Sequence, residues 1–101
     1  MKMAKIWVDD IRTAPEGYIW CRSVNEAKKV IRRLEEQGLP IELLDLDHDA
    51  GDFCGDGGDY IRLLDYLEET GRNYRCAVHS MNPVGVRQML QIIRKNGWDR
   101  D

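Results

Sequence analysis

The chain lacks the features that mark secreted and membrane-bound proteins. It has only three cysteines in 101 residues, at positions 21, 54 and 76, and an odd number so widely spaced specifies no disulfide framework. No apolar run approaches the roughly 18 residues of a membrane span. The first residues lead straight into a predicted strand, without the apolar segment of a signal peptide. We therefore expect a cytoplasmic protein with no membrane partner.

The chain also lacks a basic excess. Fifteen lysines and arginines stand against 18 acidic residues, for a formal net charge of −3. Binding of long nucleic acid is therefore not expected, whereas a small phosphorylated ligand bound through a metal ion is compatible with this charge. The length suits one hydrophobic core, so residues 1–101 are predicted to form a single domain.

Strand and helix patterns alternate along the chain. Short runs rich in β-branched and aromatic residues predict strands at residues 5–8, 18–22, 41–47 and 75–80. Between and after them, apolar residues at helical spacing predict buried helix faces of Ala27, Val30, Ile31 and Leu34, of Tyr60, Leu63, Leu64 and Leu67, and of Val86, Met89, Leu90 and Ile93. The alternation favours an α/β domain with a mostly parallel sheet.

Local signals define the ends of these helices. Ser23 and Glu26 have the spacing of a capping box, and Asn82-Pro83 combines an N-cap residue with a proline at the first helical position. Gly38, Gly71 and Gly97 suit the left-handed position after a helix. Residues 98–101 are predicted to be a polar tail.

Two segments fit the α/β pattern less well. Only residues 10–17 separate the first two strands, although a parallel crossover usually needs a dozen or more residues. Either the crossover is a loop without a helix, which we favour, or the second strand is shifted or antiparallel. Residues 49–59 contain four glycines and are predicted to be a flexible loop, but their acids do not have the spacing of an EF-hand.

Ionisable and polar residues gather at the ends of three predicted strands. They are Asp9 and Asp10 after the first, Asp47, His48 and Asp49 after the third, and His79, Ser80 and Asn82 after the fourth. Open α/β sheets bind ligands outside the carboxyl ends of their strands. If these strands are neighbours, the carboxylates repel one another unless a cation binds. A hard ion such as Mg²⁺ suits the acids, while the chain's only two histidines would also suit zinc, manganese or iron.

Each of these residues also has a structural interpretation. Asp9 and Asp10 could cap a turn, His48 could be a hydrogen-bonded core histidine, Ser80 could belong to a turn, and Asn82 could act only as an N-cap.

The arginines and tryptophans near these strand ends are equally open to two interpretations. Arg12 and, with less support, Arg22 could be solvated or could clamp a phosphate through two hydrogen bonds. Trp7 and Trp20 suit the core as well as they suit a base-stacking surface.

Four short segments together resemble a known family. They are Val8-Asp9-Asp10-Ile11-Arg12, Ala14-Pro15-x-Gly17, Leu46-Asp47-His48-Asp49 and His79-Ser80-x-Asn82-Pro83-x-Gly85. In order and spacing they resemble the cyclic-phosphate processing receiver-like domain family, a divergent relative of response-regulator receiver domains. The resemblance implies a small three-layer, flavodoxin-like sheet, mostly parallel, with about four strands in order 2-1-3-4 and truncated relative to a full receiver. It also implies a role in recognising or hydrolysing nucleotide or RNA-terminal 2′,3′-cyclic phosphates.

The resemblance further implies roles for individual residues. Asp9 and Asp10 match the metal-binding acids of a receiver, Asp47 matches its phospho-accepting aspartate, and Ser80 resembles the hydroxyl residue that contacts the phosphoryl group. The chain departs from a receiver by placing His48 and His79 beside these positions. It also lacks a helix after the first strand and has no counterpart of the lysine on a fifth strand.

These observations lead to one assignment of roles. We expect metal ligation by Asp9, Asp10, Asp47 and Asp49, catalysis by His48, His79 and Ser80, and phosphate binding by Arg12, Ser80 and Asn82. The expected ion is Mg²⁺, with Mn²⁺ or Zn²⁺ as alternatives. The leading hypothesis is a metal-dependent phosphoesterase or binder of cyclic phosphates. The alternatives are a non-catalytic receiver module with Asp47 as phosphoacceptor, and an interaction domain whose acidic end is vestigial.

Overall fold

The structure, a computed structural model, describes residues 3–99. Four strands form one parallel sheet in the order β2-β1-β3-β4, and their bounds are β1 Ala4–Val8, β2 Tyr18–Cys21, β3 Ile41–Leu46 and β4 Cys76–Val78. The parallel sheet and the predicted order 2-1-3-4 are confirmed. So is the favoured crossover, because β2 runs parallel to β1 and no helix lies between them.

Three α-helices follow β2, β3 and β4 in turn, and they are α1 Val24–Glu36, α2 Ile61–Glu69 and α3 Pro83–Lys95. The Ser23 hydroxyl accepts the Glu26 amide (3.0 Å), and Asn82 Oδ1 accepts the Gly85 amide (3.0 Å), so both predicted N-caps are present. The Glu26 carboxylate accepts the amide of Arg22, one residue before the cap residue. No helix within residues 3–99 is long and apolar enough to span a bilayer.

The hydrophobic core lies between one face of the sheet and the three helices. Ile6, Val8, Leu44 and Leu46 supply the strand side of this core and are fully buried. The predicted face of α2 is buried at every position, whereas Val30, Val86 and Leu90 are only partly covered. The core thus follows the predicted helical faces except at these three partly exposed positions.

The prediction of a polar tail was wrong at Trp98. This side chain is only 3% exposed, and its carbonyl accepts the amide of Cys76 (2.8 Å). β4 is an edge strand, so its outer backbone groups need partners, and the turn after α3 supplies one while the indole buries apolar area. Residues 100 and 101 of the predicted tail lie outside the described part of the chain.

All three helices lie on the same face of the sheet, since α1 contacts α2 and α2 contacts α3. The crossovers from β2 to β3 and from β3 to β4 move in the same direction, and right-handed connections then place their helices on one side. The opposite face carries the loop between β1 and β2, whose Arg12 carbonyl accepts the indole N–H of Trp7 (3.0 Å). A full third layer of helices is therefore replaced by a loop.

Candidate metal and phosphate site

The carboxyl ends of β1 and β3 bring three acids together. β1 and β3 are neighbours, and the Asp47 amide donates to the Val8 carbonyl (2.8 Å), which extends the pairing to the end of the sheet. Asp9, Asp10 and Asp47 each offer a carboxylate oxygen, and these atoms lie within 4.8 Å of one another. The predicted convergence of these three residues is present in the structure.

Asp9 is buried at 1% exposure and is tightly held. Its Oδ1 accepts the amides of Ile11 (2.9 Å) and Arg12 (2.8 Å), and its Oδ2 lies 2.8 Å from Nε2 of His79. Burial opposes ionisation, but the two amides and His79 outweigh it, so the pKa of Asp9 is lowered. Asp9 is therefore a fixed carboxylate at neutral pH.

Asp10 lies in the opposite electrostatic situation. Burial and then the negative charges of Asp9 and Asp47 raise its pKa. Its Oδ2 would lie 2.3 Å from a Cβ atom at Gly51, and Gly51 has a φ of +54°. Glycine is thus required beside Asp10 both for space and for backbone conformation.

His79 is enclosed by two carboxylates. Its Nδ1 lies 2.7 Å from Asp45 Oδ1 and its Nε2 lies 2.8 Å from Asp9 Oδ2, while its ring stacks on Trp7 with centroids 3.7 Å apart. Burial lowers the pKa of His79, but Asp45 and Asp9 together outweigh it and raise the pKa. Both ring nitrogens are therefore occupied inside the protein. The sequence reasoning missed Asp45, although a carboxylate between Leu44 and Leu46 in an apolar strand was a signal.

His48 has one ring nitrogen available. Its Nδ1 lies 2.8 Å from Asp49 Oδ1, and Nε2 has no hydrogen-bond partner within residues 3–99. The ring lies against α3, where a Cβ atom at Gly85 would approach its Cγ and Cδ2 to 2.4 Å. Asp49 is therefore beside His48 and is absent from the three-carboxylate cluster that the sequence predicted it to join.

The predicted phosphate-binding residues line one open depression of about 480 Å³. Arg12 donates through Nη1 to the His79 carbonyl (2.8 Å), and the Ser80 hydroxyl accepts the amide of Asn82 (3.1 Å). Asp47 and Asp49 line the same depression. The acidic cluster and the three predicted phosphate ligands thus lie side by side.

Arg22 does not reach this depression. It lies on the other side of Asp10, donating to the Asp10 carbonyl through Nε (3.2 Å) and Nη2 (2.8 Å). The two tryptophans of β1 and β2 support the same loop, because the Trp20 indole donates to the Asp9 carbonyl (2.8 Å) as Trp7 does to Arg12. The sequence left open whether these tryptophans belong to the core or to a base-stacking surface. In the structure both indoles hold the loop between β1 and β2.

Comparison with known proteins adds one finding to this geometry. The model of a family described as the cyclic-phosphate processing receiver domain matches residues 4–95. No curated protein and no solved structure shows a significant match. The match covers nearly the whole chain, so this chain belongs to the cyclic-phosphate processing receiver domain family.

Proposed function

We propose that this domain binds and hydrolyses 2′,3′-cyclic phosphates at the ends of nucleotides or RNA, with a divalent cation held by Asp9, Asp10 and Asp47. The observation that supports this most strongly is the three-carboxylate cluster, which adjoins a depression lined by Arg12, Ser80 and Asn82. The family's association with cyclic-phosphate processing supports the same ligand class.

The cluster suits a hard divalent cation. All three candidate ligands are carboxylates, and neither histidine contributes a nitrogen to the set. Oxygen ligands of this kind favour Mg²⁺ or Mn²⁺ over Zn²⁺. Burial, and then the charges of Asp9 and Asp47, raise the pKa of Asp10, and a bound cation would relieve the repulsion among these three carboxylates. Once bound, the ion would supply positive charge to stabilise the phosphoryl oxygens.

His48 is the candidate for proton transfer, because its Nε2 has no hydrogen-bond partner within residues 3–99. Asp49 holds its Nδ1, so the free Nε2 faces away from this carboxylate with a defined orientation. In hydrolysis, water attacks phosphorus, one phosphorus–oxygen bond to the ribose breaks, and a proton is delivered to the departing ribose oxygen. His48 can take the water proton or supply the ribose proton. The product is a phosphomonoester.

His79 has a different role in this proposal from the second acid or base that the sequence predicted. Both of its nitrogens are bound to carboxylates, so it has no free site for a substrate proton. It acts as a positioning residue, because it connects Asp45 to Asp9 and fixes the Asp9 carboxylate. Arg12, the Ser80 hydroxyl and Asn82 bind the phosphoryl oxygens.

The position of Asp47 favours one alternative function. It directly follows β3 and lines the depression, which is where a receiver accepts a phosphoryl group. In that alternative the domain is a non-catalytic signalling module. Tight binding of beryllofluoride with Mg²⁺ that depends on Asp47, together with no reaction of cyclic phosphates, would favour it.

The direct test is incubation of the purified protein with 2′,3′-cyclic nucleotides and Mg²⁺, Mn²⁺ or Zn²⁺, with the phosphomonoester product followed by ³¹P NMR. We expect turnover with Mg²⁺ or Mn²⁺, and a fall of about 100-fold or more in kcat for His48→Gln with binding retained. Asp52→Asn, which removes an exposed acid from the same glycine-rich loop, is the matched control. The proposal would be overturned if the protein neither hydrolyses nor binds the cyclic nucleotides with any of the three ions.

A further inference from the structure

A second cavity lies on the far side of Asp10 from the phosphate-binding depression. It has a volume of about 440 Å³ and lies between α1 and the segment around Phe53. Three cationic side chains line it, namely Arg22, Lys29 and Arg33. We call it the α1 cavity.

Two of the three cations of the α1 cavity, Lys29 and Arg33, are available to an external anion. Lys29 and Arg33 are exposed, lie one turn apart on α1, and make no ion pair within the described part of the chain. The two acids of the cavity have other partners. Glu26 accepts the Arg22 amide (2.6 Å), and Asp56 accepts the Ser23 hydroxyl (2.6 Å).

Asp56 is nevertheless ionised and counts against the cationic charge. The Ser23 hydroxyl and the Asn25 amide donate to it, and Lys29 adds an electrostatic attraction, which together lower the pKa of Asp56. With Glu26, two negative charges thus oppose three positive ones around the cavity. The cavity therefore has a net excess of one positive charge, and Lys29 and Arg33 are the cations that make no ion pair within residues 3–99.

Arg22 connects the α1 cavity to the acidic cluster. Its guanidinium lies between the rings of Trp20 (4.9 Å) and Phe53 (4.8 Å) and donates twice to the Asp10 carbonyl. This arrangement fixes a positive charge between the two sites. Arg22 lines the α1 cavity and also contacts Asp10, a proposed cation ligand. The cavity therefore adjoins the acidic cluster on the side away from Ser80 and Asn82.

We propose that the α1 cavity binds the nucleotide that precedes a terminal 2′,3′-cyclic phosphate, so that the preferred ligand is an RNA 3′ end rather than a mononucleotide. The inference rests on the function proposed above. Each further nucleotide adds one negative charge, which the acidic cluster repels and which Lys29 and Arg33 attract. Phe53 adds an aromatic wall against which a ribose or a base packs.

The test compares adenosine 2′,3′-cyclic phosphate with the dinucleotide ApA that ends in a 2′,3′-cyclic phosphate. We expect kcat/KM, or affinity if there is no turnover, to be about tenfold higher for the dinucleotide, as one or two charge-assisted hydrogen bonds supply. The double variant Lys29→Gln/Arg33→Gln should lose this advantage and keep the wild-type value for the mononucleotide. Both residues are on the surface, so the fold should be unaffected.

The neighbouring positions on α1 provide a control of equal charge. Lys28 lies over the Tyr66 ring and Arg32 donates to the Tyr66 hydroxyl, away from the α1 cavity. Lys28→Gln/Arg32→Gln should keep the dinucleotide advantage. If both double variants lost the dinucleotide advantage equally, the advantage would depend only on overall charge, and the inference would be overturned.

The remaining outcomes separate this inference from the function on which it rests. A mononucleotide that reacts as well as the dinucleotide would overturn the α1 cavity as a binding site and leave the proposed function intact. If neither compound binds or reacts, the proposed function fails, and the inference fails with it.

Discussion

At the scale of single residues, Asp9 and Asp10 show how far two adjacent carboxylates can differ. Asp9 receives two backbone amides and His79, whereas Asp10 faces the charges of Asp9 and Asp47. Asp9 is thus stabilised as an anion by the protein itself. Asp10 is the member of the cluster whose negative charge has the least compensation, and it is the most informative position for a test of cation binding.

We expect Asp10→Asn to be more stable than the wild type in chelator at pH 7. The pKa of Asp10 is raised by burial and by Asp9 and Asp47. A raised carboxyl pKa means that its contribution to stability is complete below the ordinary value of 3.8 and is lost as the pH rises through the raised value. The gain should be about 0.5–1 kcal/mol, since solvent screens part of the repulsion. Thermal melting from pH 3 to pH 8 measures it.

With added Mg²⁺ the wild type should become more stable than Asp10→Asn. A ligand that binds only the folded state adds about 2.7 kcal/mol at a concentration of 100 Kd, and Asp10→Asn should gain less than the wild type. Asp47→Asn should behave in the same way. This account would be contradicted if Asp10→Asn were less stable than the wild type in chelator and the wild type did not respond to metal. Asp52→Asn serves as the control for removal of one charge.

At the scale of elements, the start of α3 organises the side of the site that contains His48. Asn82 caps the helix, Pro83 occupies its first position, and Gly85 leaves the space into which the His48 ring packs. An ordinary helix favours alanine over glycine by roughly 1 kcal/mol. The contact with His48 reverses this preference, because α3 approaches the segment after β3 closely at this point.

We expect Gly85→Ala to destabilise the protein by about 1–3 kcal/mol and to abolish turnover. The new Cβ would lie 2.4 Å from two His48 ring carbons, so the ring or the helix must shift. Urea unfolding gives the stability, and NMR of the His48 ring gives its displacement. Gly55→Ala is the control, because a Cβ atom there meets nothing within 4 Å and its φ is not positive. A more stable Gly85→Ala with an unchanged His48 spectrum would contradict the packing argument.

At the scale of the whole molecule, a polar cluster joins the helices at the end of the sheet opposite to the acids. Glu35 of α1 accepts two hydrogen bonds from Arg72 (both 2.9 Å) and one from the Tyr74 hydroxyl. These contacts span more than 35 residues of sequence and connect the end of α1 to the segment between α2 and β4. The cluster closes the domain away from the site.

We expect Glu35→Gln to lower the free energy of unfolding by about 1 kcal/mol at pH 7, the amount for a partly exposed bidentate pair. The Arg72 hydrogen bonds, against burial and together with Tyr74, lower the pKa of Glu35. Its contribution is therefore present above the ordinary value of 4.5 and is lost as the pH falls through the lowered value. The difference in stability between the variant and the wild type should shrink as the pH falls, as urea unfolding at pH 7 and pH 3 would measure.

Glu36→Gln, the exposed neighbour on the same helix turn, is the control for Glu35→Gln. An equal loss of stability at both pH values would show that the Glu35 charge does not carry the effect. Cyclic-phosphate turnover at saturating substrate should be unchanged in both variants, because the cluster lies at the other end of the sheet from Asp9 and Asp47.

The sequence by itself determined the type and order of the elements and, to within about two residues, where the strands end. Strand propensity, helical spacing and the caps at Ser23 and Asn82 act within a few residues, so local patterns were sufficient to predict them. The parallel order 2-1-3-4 was implied by the family resemblance, and with this order Asp9, Asp10 and Asp47 meet because parallel strands place their carboxyl ends at one edge. The family resemblance, confirmed by the match over residues 4–95, rests on the same strand ends.

Only the tertiary structure decided how the polar side chains pair. Asp45 meets His79 across 34 positions, Asp49 turns to His48 and away from the acidic cluster, and Trp98 covers the edge of β4. Each of these contacts depends on which strands are neighbours and on the direction of a side chain at the end of the sheet. Two of these pairings join residues distant in sequence and the third depends on a side-chain direction, and hydrophobic periodicity and capping signals carry no information on either.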